Sequence, residues 1–154
     1  MPVKDRGSIG SVSFKKTIAD PRYFCSIYFS DSYKVMQKEV SVKVPRWMKV
    51  ELKEMNFEGY QISKSSAYDK DDDADVYSYT VINLPVIAWE TNSPGPSYIA
   101  PHILVLSREA NFKGNKRTYF NTLADQYSWY RHLIENIGND EAVIKAKALE
   151  ITFG

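Results

Sequence analysis

Few side chains in this sequence have the types and spacing that acid-base or nucleophilic catalysis requires. The two histidines, His102 and His132, are far apart, and neither belongs to a recognisable catalytic or metal-binding motif. The chain also lacks a GxSxG elbow, a Walker A loop and a GxGxxG turn. We therefore expect no catalytic residue, no metal site and no cofactor. An enzyme that uses His102 or His132 is kept as a third hypothesis, behind two binding functions.

One acidic run invites comparison with a calcium-binding loop. Its carboxylates fall at alternate positions, as in the first half of an EF-hand loop: Asp69, Asp71, Asp73 and Asp75. However, Ala74 occupies the position at which the sharp turn needs glycine, and Thr80 stands where a bidentate glutamate belongs. The run is therefore interpreted as a solvated acidic hairpin loop.

The more specific pattern combines aromatic and basic residues on predicted strands. If Cys25, Ile27 and Phe29 face the core, their alternating neighbours face away from it, because successive strand side chains point to opposite sides. The same parity places Trp47 and the lysines beside it on the outside of a later strand. The resulting predicted contact surface consists of Arg22, Phe24, Tyr28, Lys43, Trp47, Lys49 and Lys53.

Such a surface suits two kinds of partner. Aromatic and arginine-rich patches are typical of protein interfaces, which predicts a non-catalytic binding module, either an inhibitor or a self-associating assembly subunit. Stacking rings among cations also suit sequence-tolerant binding of single-stranded DNA or RNA. A further basic cluster precedes a predicted helix N-terminus and is a predicted anion site: Lys113, Lys116 and Arg117. Alternatively, the C-terminal helix covers Phe24 and Tyr28, which removes them from the surface.

Composition limits these hypotheses only broadly. A net charge of +1 excludes a nucleic-acid binder that works through bulk charge, but it leaves room for a segregated basic face. The single cysteine, Cys25, permits no internal disulfide and is predicted to be a small core residue. Since no apolar run resembles a signal peptide or reaches membrane-spanning length, we expect a soluble, cytoplasmic protein with no membrane association.

The elements that would position these residues form an α+β, mainly β domain over 11–154, after a flexible lead-in over 1–10. Alternation predicts an antiparallel sheet or small OB-like barrel within a β-rich part, 11–106, followed by a helical part, 118–150. The predicted strands are Val12–Ile18, Arg22–Ser30, Tyr33–Val44, 47–53, Phe57–Ile62, Val76–Ile82, Val86–Trp89 and His102–Leu106. Polar composition or proline predicts loops at Lys64–Asp75, Thr91–Pro101 and Asn111–Arg117.

The clearest element is a helix from Thr122 to Ile137. Its apolar residues recur at helical spacing along one face, which predicts an amphipathic helix that packs on a sheet: Leu123, Tyr127, Tyr130, Ile134 and Ile137. Thr122 and Asp125 can form a capping box, and Asn136 with Gly138 favours a stop. Asp140 can cap a second, short helix over 141–150. A terminal strand over 143–153 is the alternative, since the apolar residues there also alternate.

Overall fold

The computed structural model describes residues 7–87, 92–135, 137–138 and 140–153. Seven strands and three α-helices form within these ranges. The strands are β1 (Ser26–Tyr28), β2 (Val35–Pro45), β3 (Met48–Met55), β4 (Ile62–Asp69), β5 (Ala74–Leu84), β6 (His102–Phe112) and β7 (Asn115–Thr118). The helices are α1 (Pro96–Ile99), α2 (Leu123–Ile134) and α3 (Glu141–Phe153), and a 3-10 turn covers Pro21–Tyr23. The α+β, mainly β prediction is confirmed.

The strands form two antiparallel sheets, each organised around one long strand. In the first sheet, β6 pairs with β3 along one edge, while β1 and β7 pair with opposite ends of its other edge. In the second, β5 lies between β2 and β4. The described strands close into no barrel, so the OB-like alternative is wrong. The predicted contrast of one long and one short C-terminal helix is also wrong, because α2 has 12 residues and α3 has 13.

Side-chain alternation in the two sheets produces a shared core. On β3, Met48, Val50 and Leu52 are half-buried while the intervening charged residues are exposed, as predicted. Val44 on β2 is likewise buried. The fully packed cluster draws on both sheets and on the segment after β1: Phe29, Tyr79, Val81, Leu84, Ile103 and Val105. The core therefore lies between the sheets.

The N-terminal part departs most from the predictions. Residues 12–18 contain no strand, and Val12 and Phe14 are exposed. The predicted strand Arg22–Ser30 shrinks to β1, because a 3-10 turn capped by Asp20 occupies Pro21–Tyr23. The strict alternation assumed across that segment consequently fails, and Cys25 is exposed rather than in the core.

The region between β3 and β5 also differs. The predicted strand Phe57–Ile62 is largely a turn, in which Gly59 has a positive φ of 81°; Asn56, just before it, has a φ of 56°. Strand β4 instead forms largely within the predicted loop Lys64–Asp75, which contains six of its eight residues. Its side chains are nearly all exposed, which explains its polarity: an edge strand pairs through its backbone and needs no apolar face. The acidic run forms the hairpin turn from β4 to β5, as interpreted from the sequence.

Beyond β5, the loops are partly structured. The predicted strand Val86–Trp89 extends outside the described residues, and its described part is irregular. Helix α1 lies within the predicted loop Thr91–Pro101. Strand β6 continues past Leu106 to Phe112 and forms a hairpin with β7, so the predicted loop Asn111–Arg117 is wrong. Lys113 and Gly114 have φ values of 51° and 83°, as a two-residue hairpin turn requires.

The two C-terminal helices begin where the sequence indicated. The Thr122 hydroxyl accepts a hydrogen bond from the Asp125 N–H, and the Asp125 carboxylate accepts one from the Thr122 N–H at 2.7 Å, which confirms the capping box. The Asp140 carboxylate accepts the N–H groups of Ala142 and Val143, and α3 is a helix rather than the alternative strand. Helix α2 ends at Ile134, before the predicted Ile137, and Asn136 of the predicted stop lies outside the described residues.

Candidate interaction surface

The seven residues of the predicted contact surface do not form one surface. Lys43 lies on the second sheet, whereas Tyr28, Lys49 and Lys53 belong to strands of the first. The Trp47 carbonyl accepts the N–H of Asn111 on β6. The carbonyl of Cys25, which follows Phe24 in the chain, accepts the N–H of Val105 at a different point along the same strand. At the rise of a strand, six residues separate these points by about 20 Å. The predicted set therefore separates into several local environments.

Arg22 holds helix α2 against the rest of the molecule. Its guanidinium donates to the Asp20 carboxylate at 2.6 and 2.9 Å and lies 3.7 Å from the centroid of the Trp129 ring on α2. Tyr23 meets the same ring edge-on, with the centroids 5.9 Å apart. Hydrogen bonds from Arg22 lower the pKa of the Asp20 carboxyl below its ordinary value of 3.8. Arg22 thus anchors a helix rather than facing outward freely.

Replacing Arg22 with alanine is expected to release α2 locally. A cation–π contact of this kind contributes about 0.5–2 kcal/mol, so the amides of α2 should exchange hydrogen several-fold faster while those of β6 keep their protection. Hydrogen-exchange mass spectrometry measures both elements in one experiment. Arg117→Ala, which removes an exposed arginine from β7, is the matched control and should leave α2 unchanged. Equal α2 protection in the native chain and Arg22→Ala would contradict this anchoring role.

Phe24 and Tyr28 do not share an open face either. Phe24 packs against the core cluster, and the Nζ of Lys16 lies 5.1 Å from the centroid of its ring. Tyr28 stacks on His102 with the ring centroids 4.9 Å apart. The alternative that α2 covers this pair is also not observed, since the described contact of α2 with this region runs through Trp129, Arg22 and Tyr23.

Lys43 is engaged by the acidic hairpin turn. Its Nζ donates to the Asp69 carboxylate at 2.6 Å and also to the Asp72 carboxylate. These contacts raise the pKa of Lys43 and lower that of Asp69. Asp73 accepts a hydrogen bond from the Tyr68 hydroxyl at 2.9 Å. The acidic run therefore neutralises a lysine, and no group of three or more potential metal ligands converges anywhere in the described ranges.

Trp47 of the predicted contact surface and the three cations of the predicted anion site lie at the same end of the first sheet, which we call its tip. Trp47 packs edge-on against Phe112 with the centroids 5.3 Å apart, and its carbonyl accepts the Asn111 N–H at 2.7 Å. The β6–β7 hairpin supplies Lys113, whose Nζ lies 5.3 Å from the centroid of the Phe112 ring. Trp47 and Phe112 are 41% and 50% exposed. We call Trp47, Phe112, Lys113, Lys116 and Arg117 the tip cluster.

The cations near the tip cluster are partly neutralised. Lys116 forms an ion pair with Glu109 at 3.1 Å, and Lys49 is paired in register with the same glutamate. Farther along β3, Glu51 binds Arg108 at 2.6 Å on the face that also carries Lys53. The predicted anion site at the helix N-terminus is occupied by the Asp125 carboxylate of the capping box. This side of the sheet therefore carries both acidic and basic side chains and is not a uniformly basic surface.

The histidines occupy unrelated environments. His102 is buried at the start of β6, and its Nδ1 lies 2.8 Å from the Ala100 carbonyl oxygen. His132 is exposed on α2, with its Nδ1 3.4 Å from a Glu135 carboxylate oxygen. Among the described residues, neither histidine forms a hydrogen bond with a serine, threonine or cysteine side chain.

No protein-family model, curated protein or solved structure matches this chain. Among the described helices, none is long and apolar enough to cross a membrane.

Helix α2 exposes an apolar face. This face points to solvent instead of packing on a sheet. Four residues of this face are each between 58% and 67% exposed: Leu123, Tyr127, Tyr130 and Ile134. We call these four residues the α2 face. The helical periodicity predicts these residues as one face, but the same pattern predicts that the face packs on a sheet, so none of them belongs to the predicted contact surface.

Two other segments also expose apolar side chains. Helix α3 carries apolar residues around much of its circumference, a composition typical of buried helices, yet Val143, Ile144, Leu149 and Ile151 are exposed. In the N-terminal segment, Ile9, Val12 and Phe14 are exposed. In total the chain has 12455 Å² of accessible surface. A compact monomer of 17.7 kDa has about 8,000 Å².

Proposed function

We propose that this chain is a non-catalytic assembly subunit that binds further copies of itself through the apolar surfaces of its C-terminal helices. The observation that carries the proposal is the α2 face, where a capped, regular helix leaves its whole apolar face in water. Isolated exposed apolar residues are normal on monomers, but a contiguous face of this kind marks an interaction site. The buried and surface histidines, each in a separate environment, support a non-catalytic role.

The accessible surface supports association. The chain exposes about 4,500 Å² more than a compact monomer of its mass, and apolar side chains of α2 and α3 are among the exposed groups. Obligate interfaces resemble a divided hydrophobic core, and the α2 face and α3 have that composition. A cytoplasmic setting suits the proposal, since the exposed Cys25 thiol would stay reduced there.

Sedimentation equilibrium over a wide range of concentrations tests the proposal. The expected result is a mass at least twice the 17.7 kDa of one chain at micromolar concentration, with dissociation on dilution. A mass of one chain throughout, even at high concentration, would contradict self-association; binding of a foreign protein partner or of single-stranded nucleic acid would then remain.

A second function, binding of single-stranded DNA or RNA, is favoured by the tip cluster. Trp47 and Phe112 offer two half-exposed rings beside Lys113, and bases stack on such rings at about 1–3 kcal/mol each. This site is smaller than the predicted contact surface, because Arg22, Phe24, Tyr28 and Lys43 are engaged elsewhere.

The two functions can be separated by one titration. If nucleic acid binds at the tip cluster, an unstructured oligonucleotide quenches tryptophan fluorescence at low salt, and the affinity falls steeply as salt rises. Trp47→Ala should then weaken binding roughly tenfold or more, in line with the loss of one stacked base. Tyr98→Ala, an exposed aromatic on α1, is the control. Absence of binding at low salt would eliminate this second function.

A further inference from the structure

The end of the molecule that carries the tip cluster also includes a turn of the second sheet. Arg46 and Trp47 connect β2 to β3 and so join the two sheets. The Arg46 N–H donates to the Asp73 carbonyl at 3.0 Å, which holds the β4–β5 turn against the same end. The β6–β7 hairpin reaches this end through the contact between Trp47 and Phe112. Turns from both sheets therefore meet beside Trp47.

This arrangement adds a third exposed ring and a second ring-bound cation. The Arg46 guanidinium lies 5.3 Å from the centroid of the Tyr68 ring, near the end of β4, and Tyr68 is 48% exposed. Lys113 lies over Phe112 at the same distance of 5.3 Å. Trp47 links these two ring–cation pairs, because it contacts Phe112 and follows Arg46 in the chain.

We propose that Tyr68 and Arg46 belong to the single-stranded nucleic-acid site, so that three bases stack on Phe112, Trp47 and Tyr68 while Arg46 and Lys113 contact phosphates. This inference rests on the second proposed function and extends its site. The ligand is a flexible single strand of DNA or RNA, because every base has a face that can stack, whereas a duplex keeps its bases stacked on one another.

The two cations beside the rings are available to phosphates. Among the described residues, no carboxylate forms an ion pair with Arg46 or Lys113, whereas Lys43 and Lys116 each have an acidic partner. Both free cations lie against an aromatic ring, which already limits their side-chain freedom. Binding a phosphate then costs less conformational entropy than it would for an unrestrained side chain.

The acidic turn limits the site on one side. Asp73 accepts a hydrogen bond from the Tyr68 hydroxyl at 2.9 Å, and further aspartates of the β4–β5 turn are exposed beside it. These carboxylates repel phosphates beyond the Tyr68 ring. A longer strand must therefore extend past Phe112, toward Lys116 and Arg117 on β7.

Fluorescence anisotropy of a labelled oligothymidine of about six nucleotides tests the third ring, with the full chain at low salt. Tyr68→Ala is expected to weaken binding roughly tenfold, because one stacking surface is lost. Tyr68→Phe keeps the ring but loses the hydrogen bond to Asp73, and it should bind like the native chain. Tyr33→Ala, which removes a tyrosine that is 65% exposed outside the site, is the control.

The salt dependence of the same titration tests Arg46. Arg46→Gln removes one charge and keeps the backbone N–H that bonds Asp73, so the turn should stay in place. If Arg46 contacts a phosphate, the slope of log affinity against log salt concentration should fall by about 0.7. Lys145→Gln, which removes the same charge from exposed α3, should leave the slope unchanged.

These measurements separate the two possible failures. If the native chain binds no oligothymidine at low salt, the second function itself is wrong. If Trp47→Ala weakens binding while Tyr68→Ala and Arg46→Gln behave like the native chain, the second function stands and the extension to Tyr68 and Arg46 is wrong. Binding to phosphatidylserine vesicles but not to oligothymidine would assign the same rings and cations to a lipid surface and would also overturn the proposal.

Discussion

Replacing Tyr130 with lysine is expected to weaken self-association roughly 30-fold or more, which corresponds to the loss of one interface hot spot. Tyr130 is 58% exposed in the single chain and lies near the middle of the α2 face, so the substitution puts a charge into the centre of the proposed interface. Lysine favours the helical state, and α2 itself should therefore remain folded. Sedimentation equilibrium provides the dissociation constants.

His132→Lys is the matched control for that substitution. His132 lies on the opposite side of the same helix and is also open to solvent. Both variants therefore add one exposed lysine to α2, but on opposite faces. We expect this variant to associate like the unmodified chain. Indistinguishable dissociation constants for Tyr130→Lys and His132→Lys would show that the α2 face takes no part in the assembly.

Truncating Phe29 to alanine is expected to lower the free energy of unfolding by about 3–5 kcal/mol, the usual cost of removing a buried aromatic ring. Phe29 is 0% exposed and packs edge-on against Phe57, with the centroids 5.6 Å apart. It also lies 6.2 Å, centroid to centroid, from Tyr79 of the second sheet. Because whole domains are stable by only about 5–15 kcal/mol, this one cavity should bring the chain close to unfolding.

Phe14→Ala removes the same ring from the exposed N-terminal segment, where Phe14 is 84% exposed, and is the control. Both substitutions are best compared by urea denaturation in a Tyr130→Lys background, so that dissociation does not contribute to the unfolding curve. The midpoint should fall sharply for Phe29→Ala and stay within error for Phe14→Ala. Equal midpoints would mean that the core does not lie between the two sheets around Phe29.

The parts of the fold that were predicted correctly are those in which local chemistry and tertiary structure agree. Strand β3 alternates apolar and charged residues, and its apolar side faces the core. The N-termini of α2 and α3 depend on short-range hydrogen bonds from Thr122, Asp125 and Asp140, which a sequence displays directly. Such features require no knowledge of which strands are neighbours.

The errors arise where distant parts of the chain determine the outcome. Strand β4 is polar on both faces, and only its pairing with β5 makes it a strand. Residues 12–18 have the alternation of a strand but no strand partner within the described part of the chain. Strand alternation from Arg22 onward predicts Cys25 in the core, but a capped 3-10 turn over Pro21–Tyr23 interrupts that alternation and Cys25 is exposed.

The predicted contact surface failed for a related reason. Strand parity says which side of its own strand a residue occupies, but not which strands share a sheet, and Lys43 and Lys49 lie on different sheets. Conversely, Trp47 and Lys113 were predicted as separate features and are joined by the hairpin register of β6. The α2 face was identified correctly as apolar, but its burial against a sheet was assumed, although amphipathicity alone does not specify what covers a helix.

Hydroxyl-radical footprinting of the tyrosines, measured by mass spectrometry at low and high protein concentration, tests the central claim most directly. Tyr33 and Tyr98, which are exposed outside α2, serve as internal references in the same sample. The proposed assembly predicts that oxidation of Tyr127 and Tyr130 falls relative to both references as concentration rises through the dissociation constant. Constant relative oxidation of all four tyrosines across that range, in a sample whose mass increases, would contradict burial of the α2 face in the assembly.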